Sequence, residues 1–141
     1  MRWIILFVCC LLPSCANHCK GTDTMLHLDE SEYVAIVVTV PETHADLMRE
    51  AIGTAGGAKW GEYTFCSFST KGIGRFVPQQ NSDPFIGAHH IPETVLEEKI
   101  ETICTKEHLE KVLEAIKAAH PYESTYIDIR PIYKQGCKFP R

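Results

Sequence analysis

Two stretches of the chain repeat one another at a fixed offset, and this constrains its fold more than any other feature. "HADLMREAI" (44–52) aligns with "HLEKVLEAI" (108–116), matching at His, Glu, Ala and Ile. Each copy has helical apolar spacing: Met48, Ala51, Ile52 and Ala55 in the first, Leu109, Val112, Leu113 and Ile116 in the second. Each helix lies between strands. "YVAIVVTV" (33–40) is a β-branched run, hence a buried strand, and Pro41 ends it. Thr43 is placed as an N-cap, with Asp46 three residues on as in a capping box, and Gly56-Gly57 closes the helix. "EYTFCSFST" (62–70) is the second strand, with Tyr63 and Phe65 on one face and Cys66 and Phe68 on the other. A Gly/Pro/Asn-rich segment follows over 71–93. "VLEEKIETIC" (95–104) is the third strand, and Glu97, Lys99, Glu101 and Ile103 share one face. "STYIDIRPIY" (124–133) is the fourth, and Pro131 assigns it to a sheet edge.

The order β-α-β-β-α-β, built from a duplicated βαβ half, predicts an α+β, ferredoxin-like sandwich. Right-handed crossovers place both helices on one face of a four-stranded antiparallel sheet. With 141 residues there is room for one such domain, assigned to 25–141. The other sheet face is left bare, and its aromatic and aliphatic residues predict self-association.

This topology gathers distant residues. The start of helix 1, the end of helix 2 and the segment 71–93 meet at one edge, which collects His44, His120, Tyr122 and Glu123, with His89 and His90 nearby. Pro121 disfavours a helical conformation at His120, so the helix stops there and turns its imidazole toward that edge. His44, His120 and Glu123 are donor types that suit a divalent transition metal ion, and Tyr122 could cover such a site or a small ligand. The competing account is structural: His44 bonding its own helix start, His120 capping a helix C-terminus beside Glu123. Both accounts remain open at this point. Neither histidine lies on an apolar stripe, so replacing either is not expected to unfold the domain.

Other features point to structure. Cys66 is assigned to the core, mid-strand. Gly72-Ile73-Gly74-Arg75-Phe76 lacks the third glycine of a dinucleotide loop and is read as a tight turn or bulge. Glu97 and Glu101 with Lys99 are read as a solvated strand face. The formal net charge is −4, without a basic stripe, which argues against nucleic acid and anionic lipid as partners. Four of the seven cysteines precede residue 25, and no CxxC occurs, so neither a zinc ribbon nor a disulfide framework is indicated.

The first 24 residues are signal-like or untranslated and are set apart from the fold. Arg2 precedes "WIILFVCCLL", and Leu12-Pro13-Ser14-Cys15 resembles a lipobox. Met25 is preferred as the start, because the codons of Lys20-Gly21 supply an A-G-G core at ribosome-binding distance. A start at Met25 implies a cytoplasmic protein. Lipidation at Cys15 would instead tether it to the envelope, the only route to a membrane. Intact-mass measurement on protein from the native host separates the two: a diacylglycerol adduct on Cys15 overturns the Met25 start.

"AGGAKWGEYTFCSFSTKGIGRFVP", then "PFIG" and "HPYES", with "VPETH" upstream, resemble the motifs of the domain inserted in the NGG-interacting-factor family. Long members of that family are known as dinuclear-metal-centre hexameric proteins or type 2 GTP cyclohydrolase I homologues. The resemblance covers nearly all of 33–133. Trp60 departs from a small aliphatic residue, and Ser124-Thr125 replaces Glu-Pro, which removes one carboxylate from the candidate edge. The resemblance implies a stand-alone insert, similar to the PII signalling and CutA copper-tolerance proteins, which are ferredoxin-like trimers. It implies a non-enzymatic regulatory homotrimer that binds a small ligand or metal ion. The alternatives are a metal-dependent hydrolase of the cyclohydrolase type and a pure interaction module acting through 71–93.

Overall fold

The computed structural model describes residues 29–134. Residues 1–24, Cys15, Met25 and Cys137, on which the expectations about the N-terminus and some cysteines rest, lie outside the described residues. The elements are β1 (Asp29–Pro41), a single 3-10 turn (Glu42–His44), α1 (Ala45–Thr54), β2 (Ser67–Phe76), β3 (Glu93–Thr105), α2 (Leu109–Ala119) and β4 (Ile127–Lys134). The sheet order is β2-β3-β1-β4, and every pairing is antiparallel. This is the ferredoxin-like α+β sandwich that the duplicated half predicts. β4 is an edge strand, with Pro131 opposite Val34.

The core follows from alternation. Val34, Ile36, Val38 and Val40 of β1 are buried, as are Ile100 and Cys104 of β3. Residues paired across strands share a face, so Ile100, Thr102 and Cys104 stand beside Val38, Ile36 and Val34. The helices close this side with Met48 and Ile52 from α1 and Val112 and Ile116 from α2. Arg49 of α1 extends the layer outward, reaching Glu98 on β3 at 2.7 Å.

The other face is less apolar than expected. Phe68 is exposed there, but it shares the face with two ion pairs, Lys99 with Glu101 at 3.1 Å and Arg130 with Asp128 at 2.9 Å.

The sequence-based boundaries need three corrections. The strand expected at 62–70 begins only at Ser67 and continues through Gly72-Ile73-Gly74-Arg75-Phe76, the segment expected to turn. Phe65 is held out of the sheet with a left-handed φ of 57°. Its ring lies on Gly53 of α1, where a Cβ would come within 2.3 Å of it. Cys66 therefore precedes the strand and is only half-buried; Cys104 is the core cysteine. The loop expected at 71–93 shrinks to 77–92. Thr43 makes no capping bond, because the 3-10 turn occupies the helix start, and Asp46 bonds Arg49 at 2.6 Å instead of a backbone amide. Among the described residues, no helix is long and apolar enough to cross a membrane.

Candidate functional site

The α2–β4 joint is held by His120. Pro121 forces it out of the helix, and it caps α2 with extended backbone (φ −79°, ψ 129°). The ring is buried. Its Nδ1 accepts from the Tyr122 amide at 3.1 Å, so the proton resides on Nε2, which donates to the Thr39 carbonyl at 2.8 Å. One imidazole thus bolts the end of α2 to the end of β1. Both ring nitrogens bear structural bonds, so replacing His120 is expected to cost stability, which its place off the apolar stripe does not suggest.

The turn after His120 throws Tyr122 beneath the sheet. Its ring contacts His120 (5.1 Å between centroids), Phe76 (5.8 Å) and Phe85 (6.4 Å). Its hydroxyl donates to Glu97 Oε1 at 3.0 Å. Burial, and then the bond to Glu97, push the phenol well above its ordinary range. A raised pKa means that folding favours the neutral phenol. The stabilisation is complete below the unfolded value of about 10 and is lost as pH climbs through the folded one. Ultraviolet titration of the five tyrosines is expected to show one that ionises after the rest, and Tyr122→Phe should remove that late phase.

Glu97 has room to meet Tyr122 because of a glycine. A Cβ on Gly74 would lie 2.5–2.7 Å from the Glu97 carboxyl atoms. The obstructing group is the end of a flexible side chain, so Gly74→Ala should cost about 1 kcal/mol or less. It should nevertheless displace Glu97, and the late tyrosine titration should move toward the others.

The remaining candidates surround Phe85 of the 77–92 loop. His44 meets its ring edge-on at 5.4 Å, while His44 Nδ1 lies 2.9 Å from Thr43 Oγ1. Glu123 Oε1 accepts from the Asp83 amide at 3.0 Å and ties the same loop to the joint. His44, His120, Tyr122 and Glu123 are therefore gathered at one edge. His89 and His90 bond within the loop, to Ser82 and Gln80. Among the described residues, no group of three or more His, Cys, Asp or Glu stands ready to hold a metal ion. In this arrangement His120 has no free lone pair for one.

Between the joint, the loop and the end of β2 lies a cavity of about 380 Å³. Its walls are mainly apolar and aromatic, with Glu97, Tyr122 and Thr125 among the polar groups. Thr125 Oγ1 is buried and has no hydrogen-bond partner among the described residues. As site residues, Gly74, Phe85 and Thr125 were not legible in the sequence, where Glu97 reads as part of a solvated face. The one available signal was the Gly72/Gly74 pair, since glycines inside a strand mark close approach.

No family profile matches the chain. Sequence relatives do. It is 45% identical over 101 residues to a GTP cyclohydrolase 1 type 2 homolog of Halalkalibacterium halodurans, covering 72% of this chain and 27% of that protein. The corresponding Listeria monocytogenes protein is 40% identical over 125 residues, covering 84% and 33%. The chain thus spans about a quarter to a third of these curated relatives. Among solved structures, a Bacillus cereus protein related to NIF3 superposes with a TM-score of 0.61 at 39% identity, over 75% of this chain and 26% of that one. The periplasmic divalent cation tolerance protein CutA of Archaeoglobus fulgidus superposes at 0.53 with 18% identity, over 75% and 88%, which shows a shared fold. By sequence the chain is a relative of the NIF3-related GTP cyclohydrolase 1 type 2 homologues, matched to one segment of them, and that segment has the fold of CutA.

Proposed function

We propose that the chain acts as a non-enzymatic, regulatory binding module for a small ligand, assembled as a homotrimer. The observation that carries this is the Thr125 hydroxyl, buried without a partner in the wall of a cavity of ligand size. An unpaired buried hydroxyl costs stability, and a molecule bound in the cavity would satisfy it. Thr125→Val keeps the shape and removes the orphan. It is expected to raise stability by about 1 kcal/mol in chemical denaturation, since a same-shaped apolar group has no desolvation to recover. A neutral or destabilising result would sink this account of the cavity.

A small organic molecule is favoured over a metal ion. The ligand set His44, His120 and Glu123 would need His120 to release Thr39 or Tyr122. Calorimetric titration with Zn²⁺ and Cu²⁺ checks this: heat lost in a His44→Ala/His120→Ala variant that remains folded would restore the metal reading. The hydrolase reading draws less support, because the Tyr122 phenol is bonded to Glu97 and Glu123 to the Asp83 amide. The open sheet face, with Phe68 exposed, is the surface proposed for self-association. Light scattering at micromolar concentration should give about three times the 15.9 kDa chain mass, and a monomer would exclude it.

A further inference from the structure

The chemical class of the ligand follows from charge and ring placement, and this inference rests on the cavity being a ligand site. Three carboxylates, Asp83, Glu97 and Glu123, line it against one guanidinium, Arg75. None of the three forms an ion pair among the described residues. Arg75 is further set apart by strand alternation. Gly74 and Phe76 stand on the same side of β2 as Glu97, and Arg75 points to the other. Glu97 spends one oxygen on the Tyr122 hydroxyl, and no hydrogen bond from the described residues engages the second.

Rings surround this carboxylate. Phe76 and Phe85 both pack against Tyr122, and Tyr126 completes the wall. Aromatic faces carry negative potential and attract cations, and a carboxylate beside them adds a direct counter-charge. The buried Thr125 oxygen supplies a further acceptor. A phosphate or carboxylate ligand would meet like charge at three points. We infer that the cavity takes a small organic cation, a protonated amine with an apolar or aromatic body, its ammonium against Glu97 and its body among Phe76, Phe85 and Tyr122.

The test uses three probes of one shape and different charge, benzylammonium, benzyl alcohol and benzoate, titrated into the full chain and followed by ligand-observed NMR. Benzylammonium is expected to bind at least ten-fold more tightly than benzyl alcohol, and benzoate more weakly than either. Glu97→Gln retains the acceptor for Tyr122 and should abolish the advantage of the cation over benzyl alcohol. Phe85→Ala removes a wall without altering charge and should weaken both. Benzoate binding as tightly as benzylammonium overturns the cationic class while leaving the cavity as a site, and a cation preference that survives in Glu97→Gln overturns the placement of the ammonium against Glu97. Failure of all three probes to bind overturns the cavity reading as well.

Discussion

His120→Ala is expected to lower the free energy of unfolding by about 3 kcal/mol, because it strands two backbone groups at once. The Thr39 carbonyl loses its donor and the Tyr122 amide loses its acceptor, both beside a buried ring. In a domain of this size, each kcal/mol shifts the melting temperature by about 4–8 °C, so calorimetry should show a fall well above 10 °C. His44→Ala is the control. That ring is only half-buried, and its polar contact is to the neighbouring Thr43, so about 0.5 kcal/mol is expected. Equal effects at the two histidines would contradict the assignment of His120 as the bolt between α2 and β1. The consequence reaches the cavity, since releasing His120 also releases Tyr122 from beneath Glu97.

The parts of this architecture that were legible in the sequence are those written as periodicity. Met48, Ile52, Val112 and Ile116 fall at helical spacing and are buried; the β-branched run of β1 forms a strand with its even-numbered residues in the core. The second strand was misplaced because local preference and tertiary pairing disagree there. Tyr63, Thr64 and Phe65 favour extended structure, yet Phe65 is drawn onto Gly53, while the glycine-bearing stretch 71–76 is made a strand by its partners on β3. The edge itself was foreseeable from topology, which needs only element order. Its internal wiring was not. That Glu97 receives the Tyr122 hydroxyl depends on the depth to which a turn throws one ring. That the loop packs as it does depends on Phe85 lying between His44 and Tyr122. No periodicity encodes either contact.

Ile116→Ala should cost about 3 kcal/mol, within the 2–5 kcal/mol range usual for emptying a filled aliphatic site. Ile116 is fully buried in the core that both helices share with β1 and β3. It is also one helical turn before His120, whose amide donates to the Ile116 carbonyl at 2.9 Å. The side chain and the imidazole therefore fasten the same end of α2 to the sheet, one through dispersion and burial, the other through hydrogen bonds. Fasteners that share a rigid segment do not act independently. Once Ile116 is truncated, the helix end is less constrained, and the His120 bonds hold a looser geometry. The Ile116→Ala/His120→Ala double variant is accordingly expected to lose less than the two single losses combined, with a coupling of at least about 0.5 kcal/mol. A cycle with Met48→Ala in place of Ile116→Ala gives the comparison, since Met48 sits on α1 and makes no bond to the joint. That cycle should close to additivity within about 0.5 kcal/mol. Additivity in both cycles would mean that His120 fastens the loop rather than the helix, and that the end of α2 is held by its apolar stripe alone.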